Sequence, residues 1–153
     1  MMEALTIIGL GALPITELQL AIPYGMTKFG MSAATAFLLA ALGNGLVFFP
    51  VYFGLEKLRD LVEKYARWCV KPIDLFIQRA ERKLGEDYKK YGALALFLFI
   101  WIPLPLTGVW TATAAAVVLK IPFKQAALGV IGGMLSSGII VTLITLSAGA
   151  IAN

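Results

Sequence analysis

Histidine is absent from these 153 residues, and cysteine occurs once, as Cys69. Those shortages exclude an internal disulfide, a Cys/His metal site and any imidazole base, so no metal, no cofactor and no enzymatic activity are expected. Charge is scarce too: 14% of residues are charged and 59% are hydrophobic, with a mean hydropathy of +0.84. A soluble domain carries about 25% charged residues, so this composition places the chain in a membrane. A basic stretch ahead of the first apolar run is also missing. Glu3 stands there instead, and the N-terminus is expected to be kept rather than cleaved as a signal peptide.

What charge there is sits in one place. Ten of the 13 Lys/Arg and seven of the 9 Asp/Glu fall between Glu56 and Lys90, leaving only Glu3, Glu17, Lys28, Lys120 and Lys124 elsewhere. The pI near 9.3 therefore reflects a segment flanked by apolar runs. Lipid headgroups are its natural counter-ion, and nucleic acid is not an expected partner.

Between Lys90 and Lys120 run 29 residues without a charge, interrupted by Pro103, Leu104, Pro105, Leu106, Thr107 and Gly108. As a helix, the stretch from Ala93 to Ile102 reaches only ~15 Å, against a hydrocarbon core of ~30 Å. The segment reads as a hairpin that enters the membrane, turns at mid-depth and leaves. Irregular backbone at that depth needs protein or water around it, so the turn marks a site. The start of the chain repeats the pattern: Glu3 to Ala12, then Leu13, Pro14, Ile15 and Thr16, then an apolar stretch with Pro23 that ends near Lys28. Each hairpin is followed by a long apolar run with small residues at its middle. These are Gly43, Asn44 and Gly45 in one, and Gly132, Gly133, Ser136, Ser137 and Gly138 in the other.

The basic residues set the topology. A single crossing over 91–119 divides the 13 Lys/Arg ten against three, whereas a hairpin returning to its own side divides them twelve against one. The positive-inside rule prefers the second. The expected fold is all-α and integral to the membrane: an inverted repeat of re-entrant helical hairpin plus transmembrane helix, with amphipathic cytoplasmic helices between the halves. Within a single membrane domain, 1–153, the first hairpin takes 1–30, a transmembrane helix 31–55, the amphipathic helices 56–90, the second hairpin 91–120 and a second transmembrane helix 125–152. The expected location is the cell (plasma) membrane, as a multi-pass protein. Half-depth hairpins leave polar backbone facing lipid unless something covers it, so a homodimer is expected, with membrane lipids as neighbours.

The charged middle carries an apolar stripe at three- and four-residue spacing: Leu58, Leu61, Val62, Tyr65, Trp68 and Cys69, then Ile73, Phe76, Ala80, Leu84 and Tyr88. Asp60 with Lys64, Glu63 with Arg67 and Glu86 with Lys90 have the spacing of helical ion pairs, and Pro72 is expected to divide the segment into two helices. These helices either lie on the cytoplasmic membrane surface or fold back over the inner hairpin.

Glu17 is the one acid inside the first apolar region. A charge at bilayer depth costs ~2.5–3.5 kcal/mol on insertion scales, which places it against a cavity or a partner and makes it the candidate protonatable site. Its position just after Thr16 also suits a cap on the free N–H groups of its own helix. On the other hairpin, Thr107 and Gly108 open the second arm after Pro105, with Trp110, Thr111 and Thr113 following. If both turns reach mid-depth, two helix N-termini and these hydroxyls meet near Glu17. The threonines can instead bond back to their own helical turn, and Trp110 can simply pack. Asn44 is placed to bond to the first hairpin or to Ser136, or to serve as packing glue. The candidate substrate- or proton-binding set is therefore Glu17, Thr16, Gln19, Pro23, Asn44, Pro105, Thr107, Gly108, Trp110 and Thr111.

The stretches TELQLAIPYG (Thr16 to Gly25), IPLPLTGVWTA (Ile102 to Ala112) and KIPF (Lys120 to Phe123) resemble the small multi-drug export protein family, over nearly the whole chain. The architecture is in turn similar to the DedA superfamily, whose two opposed re-entrant hairpins are linked to proton-coupled lipid-phosphate translocation. The resemblance implies a transporter-like membrane protein, dimeric, with Glu17 at the family's acidic hairpin position. Gln19 stands where relatives often carry a basic residue, and the second hairpin lacks the arginines of DedA proteins. Three functions stay open: a proton-coupled secondary transporter of a small solute, a lipid or lipid-phosphate translocase or scramblase, and a non-transporting membrane assembly factor.

Overall fold

The computed structural model describes residues 1–84, 87–104 and 107–152, and every regular element among them is helical. In chain order these are α1 (Met2–Ala12), α2 (Glu17–Lys28), α3 (Ala33–Tyr65), α4 (Arg67–Leu84), α5 (Asp87–Trp101), α6 (Val109–Val118) and α7 (Phe123–Ala152). Only α3 and α7 are both long and apolar enough to cross a membrane. Proline chemistry sets the two interruptions. The residue before a proline is pushed out of the helical region: Leu13, ahead of Pro14, is extended at φ −76°, ψ 140° and ends α1. Ile102 stands in the same position ahead of Pro103, one residue past the end of α5. Gly30, at φ +61°, makes the left-handed turn into α3, which Ser32 caps by accepting the Thr35 N–H at 3.2 Å.

Glycines allow the short arms to lie against the long helices. A Cβ on Gly11 would stand 2.5 Å from the Ala40 carbonyl oxygen, and one on Gly43 only 2.0 Å from that of Ile8, so α1 and α3 touch backbone to backbone. The second half does the same where α5 meets α7, at Gly129 against Ala93 and Gly133 against Phe97. The other two arms cross over: α6 packs on α3, and α2 reaches α7 as well as its own α3. Helices α3 and α7 run antiparallel, since Tyr52 meets Phe123 near one end and Phe37 meets Gly138 towards the other. The core they share includes Ile7, Leu18, Ile22, Phe48, Ile100, Val109, Ile121 and Val130. Outward faces are apolar: Leu38, Leu42, Leu46, Phe49 and Phe53 form an exposed stripe on α3, with Leu128, Leu135, Ile139 and Leu143 exposed on α7. Water does not tolerate such stripes, and lipid does.

At one end of the bundle four charges interlock. Arg59 bonds Glu63 at 2.9 Å and Asp74 at 3.0 Å, and donates to the Val117 carbonyl at 3.1 Å; Lys120 meets Asp74 at 2.9 Å and Glu63 at 3.3 Å. Tyr52 donates to the Ile121 carbonyl at 3.0 Å. Lys120 itself sits in the left-handed region at φ +54°, a conformation costly for a residue with a side chain, and this network holds it there. The exit of α6 is thus tied to the end of α3 and to α4, and Gly92, near the start of α5, lies against Ile121 just past that exit.

Several details depart from the sequence reading. The interruption in the charged segment falls at Ala66, where α3 ends, and Pro72 lies inside α4. The cross-bend pairs from Arg59 and Lys120 to Asp74 hold the chain at Ala66, and α4 continues through Pro72 at the loss of one backbone bond. Asp60 does not pair with Lys64, whose ammonium lies 5.4 Å from the Tyr65 ring centroid. Glu63 is taken by Arg59 and Lys120, while Glu86 and the side chain of Arg67 lie outside the described residues. Helix α4 buries Val70 and Ile77, and Val70 shares an apolar recess with Val117 and Val118 of α6. It therefore folds over the exit of the second hairpin.

Two outcomes follow for stability, both readable as melting temperature in detergent. Gly43→Ala should destabilise by about 1–3 kcal/mol through overpacking, whereas Gly54→Ala on the same helix, with open space around it, should be neutral or stabilising by up to about 1 kcal/mol. The hydrogen bond that the Lys120 ammonium donates to Asp74 raises its pKa above the ordinary lysine value, with partial burial and Arg59 opposing and Glu63 adding. Because the folded value is raised, this contribution is complete below the ordinary lysine range and is lost as pH climbs through the folded value. Wild type and Lys120→Met should differ at neutral pH and converge in strong alkali.

Candidate functional site

Glu17 is the first residue of α2 and has φ +44°, a left-handed conformation rare for anything but glycine. That backbone turns its side chain away from its own helix, so the carboxylate does not cap α2. It reaches across to α6, where Oε2 accepts the Val109 N–H at 3.3 Å and the Trp110 N–H lies alongside. The residue is 6% exposed. Two of the free donors at the start of α6 are thereby met by an anion that is 92 residues away in the chain, and the helix dipole favours the negative charge there.

The space for the carboxylate is made by Gly108. A Cβ at that position would fall 1.4 Å from Glu17 Oε2, on top of it. Trp110 secures the same junction from the other side: its indole N–H donates to the Ala12 carbonyl at 3.0 Å, closing the free end of α1. Asn44, fully buried on α3, faces the carboxylate, though neither of its amide atoms completes a hydrogen bond of ordinary geometry.

Glu17, Asn44, Gly108 and Trp110 are thus brought together. The hydroxyls are engaged locally. Thr16 donates to the Leu10 carbonyl, Thr107 to the carbonyls of Ile102 and Leu104 across its own turn, Thr111 to Gly108 at 3.1 Å and Thr113 back to Val109. Gln19 and Pro23 are half-buried further along α2, and Pro105 lies outside the described residues. The serine buried at the middle of α7 is Ser137, with Ser136 turned partly outward. Two participants had no signal in the sequence. One is the Val109 backbone N–H, which has no side-chain identity; the other is the role of Gly108, which depends on where Glu17 arrives.

Two apolar helices of spanning length and two proline-broken helix pairs are the features of a helical membrane protein. Comparison with known families agrees: the family described as "Putative small multi-drug export protein" matches residues 17–140, and the chain belongs to it. That description names export. No curated protein and no solved structure matches the chain.

The geometry makes Gly108→Ala and Glu17→Gln equivalent in one respect, since each removes the ionised carboxylate from the start of α6. Both should weaken amide protection at Val109 and Trp110 in hydrogen exchange to a similar degree. Gly9→Ala, which meets nothing within 4 Å, should leave that protection unchanged.

Proposed function

We propose that this protein is a proton-coupled secondary transporter that exports a small solute across the cytoplasmic membrane, with Glu17 as the site that alternates between proton and solute. One observation carries the reading. The only acid buried in the apolar body among the described residues lies where the two interrupted hairpins meet, held by the N-terminus of α6. Transporters place their sites at such junctions of broken helices, and ionisable groups at that depth serve function by default.

The helix arrangement supports the same conclusion. With both ends of α5–α6 at the charged end, and α1–α2 opening at the other, the two halves read as an inverted repeat of re-entrant hairpin and spanning helix. The cytoplasmic side is then the one bearing the Arg59–Lys120 network. That end also holds a cavity of about 370 Å³ lined by Tyr52, Phe53 and Phe123, by Glu56, Asp60 and Glu63, and by Arg59 and Lys120. The single buried carboxylate within, rather than this cavity of mixed charge, is what suits a cationic solute. Exposed apolar faces on α3 and α7 suit lipid and a second copy.

Proteoliposomes holding a pH-sensitive dye provide the test, with lipophilic aromatic cations such as ethidium as probes. Under an imposed pH gradient, wild type should accumulate the cation and release protons. Glu17→Gln, still monodisperse and folded, should fall to the level of protein-free vesicles, a loss of tenfold or more (about 1.4 kcal/mol or more in transition-state terms). Equal rates for wild type and Glu17→Gln would refute the coupling role.

A further inference from the structure

Two buried polar groups near the site are unused. Asn44 and Ser137 are both fully buried, and neither the amide nor the hydroxyl has a hydrogen-bond partner. An unmet polar group in an interior is costly, so such groups are kept for a reason. The lack is selective. Thr113, Thr142, Thr145 and Ser147, on α6 and α7, all bond back to the carbonyl four residues earlier. Ser137 has the same option at Gly133 and does not take it.

Their positions converge. The antiparallel α3 and α7 touch where Gly45 meets Met134 and again where Phe37 meets Gly138. Asn44 and Ser137 both lie between those two contacts. Leu18, the neighbour of Glu17, packs on Gly138, and Asn44 faces the Glu17 carboxylate itself. No other charge is close. Helix α6 has no ionisable side chain; those of α1 and α2 besides Glu17 are Glu3 and Lys28, at the far ends of their helices, and Tyr24, about 10 Å along α2 from Glu17. On α7 there is only Lys124, in the first turn; on α3 the nearest is Tyr52, about 12 Å along the axis from Asn44.

We infer that Asn44 is the positioning residue that reports the charge state of Glu17 to α6, with Ser137 setting the orientation of its amide. This rests on the reading of Glu17 as the protonatable site. With Glu17 ionised, Asn44 Nδ2–H donates to the carboxylate alongside the Val109 and Trp110 N–H groups, and the Ser137 hydroxyl donates to Asn44 Oδ1. One proton from water, added to a Glu17 oxygen, creates a donor where there was only an acceptor. The α6 N–H groups cannot accept it, and Asn44 Oδ1 can. The amide turns over, the carboxyl rotates to follow it, and the start of α6 loses its anionic partner. No covalent bond changes except the new O–H. In the structure the amide atoms of Asn44 and the Ser137 hydroxyl are without a hydrogen-bond partner and so are free to take either arrangement.

The full chain in detergent tests this without any substrate. Of the three tryptophans, Trp68 and Trp101 are replaced by Phe so that Trp110 emission reports the start of α6. Infrared titration of the protonated carboxyl band, assigned by its absence in Glu17→Gln, reports the proton. In the parent both signals should move together with pH. Asn44→Leu should keep the carboxyl titration, displace its midpoint by about one pH unit, tenfold in proton affinity, and reduce the Trp110 response to less than half. Ser137→Ala, which removes a single unbonded oxygen and folds regardless, should displace the midpoint in the same sense by a smaller amount. It carries the test alone if Asn44→Leu fails to fold. If Glu17→Gln leaves the Trp110 response intact, the Glu17 reading falls. If Glu17→Gln abolishes that response while Asn44→Leu and Ser137→Ala titrate like the parent, the relay falls and the Glu17 reading stands.

Discussion

One contact holds the two halves of this molecule in register: the Glu17 carboxylate on the first N–H groups of α6. Helix packing elsewhere in the apolar body is carried by Leu, Ile and Val and by close glycine contacts, none of which holds a charge. A carboxylate in a low-dielectric interior cannot slide, because every displacement from its donors exposes an unmet charge. The left-handed backbone at Glu17, the missing side chain at Gly108 and the indole bond from Trp110 to Ala12 all serve that one placement. Each is a local sacrifice, of backbone comfort or of side-chain volume, made where the halves meet.

The charged end complements it by different means. There the interaction is a network of four side chains, partly open to water, in which no single pair is decisive. Its effect is geometric. Arg59 and Lys120 tie the turn after α6 to α3 and α4, so α6 is held at its start by Glu17 and at its end by the network. A ten-residue helix is thereby held by polar anchors at both ends and by Ala112, Ala116 and Val117 buried in the core between them.

Much of this was legible before any coordinates. Scarce charge, two apolar runs of spanning length and two proline-containing interruptions gave the helical membrane character and the broken pairs, because proline geometry and hydropathy act locally along the chain. Glu17 and Gly108 stood out for the same reason: an acid in an apolar stretch and a glycine at the start of a helix are visible as letters. That the start of α6 would come near Glu17 could be expected from the two turns; that the carboxylate bonds the α6 N–H groups and does not cap its own helix could not, because the positive φ that sends the side chain across has no local signal. Likewise Pro72 looked like the break in the charged segment, yet the bend falls at Ala66, where ion pairs to Asp74 outweigh local preference. Spacing suggested Asp60–Lys64, yet the Lys64 ammonium lies by the Tyr65 ring; among the described side chains Glu63 meets Arg59 and a lysine far along the chain.

The crossed packing of the arms bears on how the protein is made. Helices α1 to α3 leave the ribosome first, carrying a carboxylate whose only backbone donors belong to residues synthesised about ninety positions later. During that interval the first half has no finished resting state, and α7, on which α2 also packs, comes later still. The contacts that fix the opening segment are therefore complete only after α6 and α7 have been made.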